Sequence, residues 1–138
     1  MKSPERCVFD ANVLVSALLF EQSKPARALR MAHERGEVLL SLPLLAELNG
    51  VLSRPKFVRY VTRHERERFL GALVREARLV EITAEVRVAP DRRDDLFLEL
   101  AVSGNAACII TGDQHLLHLD SFRGITILSP EAFLRRRG

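Results

Sequence analysis

Asp10, Glu47, Asp95 and Asp113 are four carboxylates placed where apolar runs end or helices begin. Asp10 follows Cys7-Val8-Phe9, Glu47 lies within Pro43–Leu48, Asp95 opens the stretch to Ala101, and Asp113 closes Ile109–Asp113. Carboxylates sharing one cleft repel strongly unless a cation sits among them. Ligands that are all oxygen select a hard ion, Mg²⁺ or Mn²⁺, which keeps several waters and accepts phosphate oxygens. The chemistry such an ion serves best is phosphodiester hydrolysis, because it acidifies a bound water and stabilises charge developing on phosphate. Taken singly, each acid has an ordinary structural explanation: a turn or cap for Asp10 and Asp113, an N-cap for Asp95, an arginine partner for Glu47. Taken together those explanations weaken, since none of the four segments contains a lysine to balance them.

Covalent catalysis has no support. Ser16 and Ser41 have no histidine close by in sequence, and His115 and His118 fall on a helix after Asp113, where a solvated role is the simpler one. Cys7 and Cys108 both lie in short apolar runs, where a thiol behaves as a small buried hydrophobe rather than a metal ligand or half of a disulfide.

The elements that must position the acids can be read from hydrophobic period and capping residues. A first strand ends at Phe9-Asp10, and Asn12 is placed to cap a helix over residues 13–20. Ser23 and Pro25 begin a second helix that runs to Arg35, with Gly36 as a left-handed stop, and a second strand follows over 38–41. Pro43 opens a helix whose Leu44, Leu45, Leu48, Val51 and Leu52 share one face, which leaves Glu47 on or near the buried stripe. The Ser53-Arg54-Pro55 stretch ends it. Thr62 and Glu65 form a capping box for a helix to about Ala77, and a third strand is expected over 78–82. Residues 86–93 read as a loop, after which Asp94 or Asp95 caps a helix to about Val102, stopped by Gly104. A fourth strand over 107–111, a short helix over 114–119, a fifth strand over 125–128 and a last helix from Ser129-Pro130 complete the chain.

Strands alternating with helices predict a three-layer α/β/α fold around a parallel sheet of about five strands, joined by right-handed crossovers. In such sheets ligands bind beyond the carboxyl ends of the strands, where the strand order reverses. Asp10 and Asp113 are both expected at such ends.

The chain has 138 residues, 47% of them hydrophobic, enough for one domain spanning 1–138 and too few for two. It contains no internal repeat and no run long enough to span a bilayer, and its first residues enter a strand without the apolar segment of a signal peptide, so a cytoplasmic location is expected. The formal net charge is only +3, yet arginines cluster at 63–68, 92–93 and 135–137. A basic surface around an acidic pocket suits a polyanionic substrate, although each cluster is explained equally well as a solvated helix face or tail.

At these residues the chain resembles the PIN-domain ribonucleases, especially the VapC-like branch that supplies toxins of bacterial and archaeal toxin–antitoxin pairs. The segments that carry the resemblance are Val8–Leu18, Ser41–Phe57, Asp91–Ala101 and Ile110–Leu117, in the family's order and over nearly the whole chain. Each is weak alone; the four together are specific. The resemblance implies a Mg²⁺ or Mn²⁺ site built from Asp10, Glu47, Asp95 and Asp113, with Asn12 and Thr111 as polar support. The 18 residues from Asp95 to Asp113 match the family's spacing and favour Asp95 over Asp94, which stays an alternative. Glu99, one helical turn after Asp95, is either an additional ligand or support, or a salt-bridge partner of Arg92 or Arg93.

Three positions depart from the family pattern: Ala11 where a threonine is common, Leu96 where many relatives carry lysine, and His115 where many carry an acid. The last weakens a second metal site. The implied function is a metal-dependent endoribonuclease toxin, with RNA as substrate, Arg92 and Arg93 as candidate phosphate contacts, a small antitoxin as partner and a homodimer as the assembly. Two other functions stay open. One is a PIN-like RNA- or partner-binding module that is catalytically weak. The other is a phosphatase of the haloacid dehalogenase type, which needs a second aspartate where this chain has Asn12.

Overall fold

The computed structural model describes residues 4–87 and 92–136, the side chains of 92–94 excepted. Among these residues six strands form one sheet: β1 (Glu5–Phe9), β2 (Gly36–Leu40), β3 (Arg78–Leu79), β4 (Cys108–Ile110), β5 (Ser121–Phe122) and β6 (Ile125–Leu128). Their order is β3-β2-β1-β4-β6-β5, and every pairing is parallel except β5 with β6. The chain builds outward from β1 to β3, then returns to lay β4 on the other side of β1. The order therefore reverses between β1 and β4, the position at which open α/β sheets bind ligands.

Eight helices cover the sheet among the described residues: α1 (Ala11–Leu19), α2 (Lys24–Arg35), α3 (Leu42–Leu52), α4 (Pro55–Val58), α5 (Arg63–Glu76), α6 (Arg92–Ser103), α7 (Gln114–Leu119) and α8 (Pro130–Arg136). Helix α2 packs on β1 and β2 and against α1 and α8, while α6 packs on β1, β2 and β4 and against α3. The expected α/β architecture with a central parallel sheet is thus the observed one. Val8, Leu40, Leu48, Leu98, Ile109 and Ile110 are among the fully buried side chains at its centre. Each such aliphatic side chain contributes roughly 1.5–3 kcal/mol of burial free energy.

Several local expectations change. Asp10, not Asn12, caps α1, since its carboxylate accepts the Val13 amide and the helix begins two residues earlier, at Ala11. Helix α6 begins at Arg92, so Asp94 and Asp95 fall inside its first turn rather than capping it. Gly36 is extended, with φ −162°, and is no left-handed stop. A Cβ there would lie 2.0 Å from the Glu5 carbonyl oxygen, so glycine is required by the close approach of β2 to β1. The third strand shrinks from five residues to two on the sheet edge. The sixth strand, β5, pairs back on β6 through Arg123 and Gly124, both at positive φ.

Candidate active site

The end of β1 and the end of β4 build one site. The Asp10 amide donates to the Ile110 carbonyl at 3.1 Å, which carries the β1–β4 ladder one residue beyond β1. The Thr111 amide donates to Leu128 at 2.9 Å and fastens the other side of that residue to β6. Asp10 is buried and Thr111 fully so. One Asp10 oxygen accepts the Val13 amide at 2.8 Å, and the other accepts the Thr111 hydroxyl. The same hydroxyl oxygen accepts the Asp113 amide at 3.0 Å, so Thr111 bridges the two aspartates. Asp113 caps α7, with Oδ1 accepting the His115 amide at 2.8 Å. Both acids owe their orientation to helix starts, where unpaired amides need acceptors.

Burial pushes the Asp10 carboxyl above its ordinary range, and the Asp113 charge pushes the same way. Hydrogen bonds from Thr111, Val13 and Gly112 pull it down without cancelling that rise. A desolvated carboxylate facing a second carboxylate is an environment in which a cation is favourable, and its donors are hard oxygens. The residues present therefore fit Mg²⁺ or Mn²⁺. Asp10 and Asp113 open, with Asn12, Ser16 and Gly112, onto a concavity of about 340 Å³ at the carboxyl edge of the sheet.

The remaining predicted residues are less tightly gathered. Asp95 and Glu99 are buried on α6, 2% and 5% exposed. Glu99 accepts the Val86 amide at 2.9 Å and so holds the segment leading to α6. Glu47 is half-buried on α3, and no hydrogen bond or ion pair engages its carboxylate among the described residues. Neither Glu47 nor Asp95 borders the concavity that Asp10 and Asp113 share. Among the described residues no three of the predicted acids bring ligand oxygens within 4.8 Å of one another. The side chains of Arg92, Arg93 and Asp94 lie outside the described residues, so the proposed phosphate contacts and the Asp94 alternative are not located.

Two features were missed from sequence. Asn12 and Ser16 also border a second, larger groove of about 1120 Å³, walled by Phe20, Phe57 and Tyr60 and by the cations Lys56 and Arg59. Phe20 and Tyr60 are well exposed, and the short helix α4 that carries Lys56 and Phe57 was not expected. The second feature is the group of three ligand atoms that does lie within 4.8 Å, Glu5, Cys7 and Cys108, at the opposite end of β1. Its signal was available: Cys7 precedes Asp10 by three residues and Cys108 precedes Thr111 by three, so strands pairing at one site must pair at the other.

A sequence model described as a PIN domain matches residues 6–115. Comparison with curated proteins gives no match. Among solved structures the fold is similar to a chain of the crystal structure of VapBC2 from Rickettsia felis bound to a DNA fragment from their promoter. That similarity has a TM-score of 0.63 at 14% identity and covers 88% of this chain and 96% of that one.

Proposed function

This chain belongs to the PIN-domain family, and from that premise we propose that it is a Mg²⁺- or Mn²⁺-dependent endoribonuclease acting as the toxin of a toxin–antitoxin pair. The observation that carries the proposal is the Thr111-bridged pair Asp10 and Asp113 at the reversal point of the sheet, one carboxylate desolvated and both facing a single concavity. In this reading Asp10, Asp95 and Asp113 hold the cation. When bound, it supplies Lewis acidity toward a water and a phosphate oxygen.

The chain's own groups do the rest. Thr111 fixes the Asp10 carboxylate through its hydroxyl, and the Val13 and His115 amides fix the two aspartates against rotation. The Glu47 carboxylate, with no competing partner among the described residues, binds the cation or orients the attacking water and takes its proton at an Oε atom. Asn12 sits between the acid concavity and the basic groove and is suited to hydrogen-bond the scissile nucleotide. Lys56 and Arg59, with Arg92 and Arg93, neutralise flanking phosphates. The Rickettsia felis complex pairs a VapBC2 system, which supports an antitoxin as partner here; a homodimer is proposed as the assembly.

A second reading, the catalytically weak PIN-like binding module, is favoured by one observation: the four acids do not meet within single-ion distance among the described residues. The phosphatase alternative loses ground to the family match and to Asn12, which cannot serve as the required acid. The deciding experiment is cleavage of single-stranded and structured RNA by wild type and Asp10→Asn, each with Mg²⁺, Mn²⁺ or EDTA. A nuclease cuts in wild type with either metal and stops with EDTA or with the substitution. RNA bound but uncut under every condition selects the binding module, and cleavage indifferent to EDTA or to Asp10→Asn overturns the metal-nuclease reading.

A further inference from the structure

Glu5, Cys7 and Cys108 gather at the amino end of the β1–β4 pair, remote from Asp10. Cys7 and Cys108 are register partners on adjacent parallel strands, with sulfurs 3.1 Å apart, and both are free and buried. Glu5 and Cys7 are two residues apart on β1 and so face the same side of the sheet. One carboxylate oxygen and two sulfurs thus lie within 4.8 Å of one another. A concavity of about 320 Å³, bordered by Met31, Arg35, Phe133 and Arg136, reaches Glu5 and Cys7 from outside.

We propose that Cys7, Cys108 and Glu5 form a binding site for a thiophilic d¹⁰ cation, Zn²⁺ in the first instance, separate from the all-oxygen site at Asp10. Sulfur donors select such ions, whereas Mg²⁺ and Mn²⁺ prefer oxygen. A tetrahedral Zn²⁺ with Zn–S bonds of about 2.3 Å sets its sulfurs roughly 3.8 Å apart, so the two thiols, 3.1 Å apart, need to part by about 0.7 Å. Binding breaks both S–H bonds, forms two Zn–S bonds and one Zn–O bond, and releases two protons to solvent. Two thiolates, one carboxylate and Zn²⁺ sum to one negative charge. Arg136 stands ready to balance it, since its guanidinium already donates to both Glu5 oxygens at 2.6 and 2.7 Å. The concavity admits the ion and leaves room for a solvent ligand in the fourth position. The hydrogen bond with Cys108, and then burial, hold the Cys7 thiol far above its ordinary pKa.

The test uses the full, reduced chain and Co²⁺ as a spectroscopic probe, with Zn²⁺ as competitor. Wild type should take up one equivalent of Co²⁺ with thiolate-to-cobalt charge-transfer bands, and Zn²⁺ should displace it. The bands should vanish in Cys7→Ala and Cys108→Ala, weaken about tenfold in affinity in Glu5→Gln, and persist in Asp10→Asn, which disables only the oxygen site. Absence of charge-transfer bands in folded wild type, or bands that survive in Cys108→Ala, overturns the proposal. If a cysteine variant fails to fold, the Asp10→Asn protein decides with both cysteines in place: two protons released per Zn²⁺ bound support the site, and fewer than one overturns it.

Discussion

The hydroxyl of Thr111, at the end of β4, donates to the carboxylate of Asp10, at the end of β1, and through the same oxygen accepts the amide of Asp113. A single buried side chain therefore sets the separation of two acids that are 103 residues apart in sequence.

Replacing Thr111 by valine keeps the shape and removes the donor. The buried Asp10 carboxylate then loses a charge-assisted hydrogen bond, a loss of about 1–3 kcal/mol. RNA cleavage should fall by about 10- to 100-fold, as when other groups that orient metal ligands are removed. Thr111→Ser should recover most of the rate in single-turnover kinetics. Equal activity in all three proteins would remove Thr111 from the site.

Asp10→Asn should abolish cleavage and yet stabilise the cation-free protein. The folded Asp10 carboxyl has its pKa raised by burial, so the folded state holds its proton more tightly than the unfolded chain does. That contribution to stability is fully present below the ordinary aspartate pKa of about 3.9 and is lost as pH rises through the raised folded value. Asparagine keeps the cap to Val13 without the charge. Thermal melts in EDTA across this pH range should show a higher melting temperature for the variant on the high-pH side, converging with wild type at low pH. A variant less stable than wild type near neutrality contradicts the argument.

Divalent cation should raise the melting temperature of wild type and leave Asp10→Asn nearly unmoved. At a hundred times its dissociation constant the ion contributes about 2.7 kcal/mol. Calorimetry with Mg²⁺ or Mn²⁺ against EDTA reads this directly, without any need for a known RNA.

Lys56→Ala with Arg59→Ala should weaken RNA binding uniformly across sequences. If each cation neutralises one phosphate of a single strand, the slope of log affinity against log salt should flatten by about 1.4 in total. Fluorescence anisotropy over a salt series measures it. An unchanged slope would assign the groove another occupant.

Gly36→Ala should destabilise the protein by about 1–3 kcal/mol or more, because the new methyl collides with the Glu5 backbone and forces β2 away from β1. Urea denaturation of the two proteins checks this. The register of Glu5 against Gly36 predicts that the loss comes from the sheet and not from the end of α2.

Elements governed by near neighbours were legible in the sequence. The Thr62–Glu65 capping box, the bounds of α7 and those of β6 follow from residues within one turn or one strand. Elements governed by distant partners were not. The third strand, expected over 78–82, keeps only Arg78–Leu79 because β2 alone pairs with it at the sheet edge, and Leu79 is exposed. Helix α1 starts at Ala11 because the Asp10 oxygen reaches Val13, a choice between two good caps that sequence leaves open. At the site, Asp10 and Asp113 were legible as strand ends, whereas the shared hydroxyl between them depends on β1 lying beside β4. The cysteines were correctly expected to be buried, but their contact is a matter of register across 101 residues.

Each of the two bridged aspartates also commits an oxygen to the first turn of a helix, Asp10 to α1 and Asp113 to α7. Helix α7 has six residues, with Leu119 and both its histidines turned outward and Leu116 its buried anchor. A helix of that length opens locally at far lower free energy than the sheet beneath it. When its first turn frays, Asp113 loses its anchor while β1 and β4 stay paired. On the proposed reading, heating should therefore silence the site before it unfolds the protein.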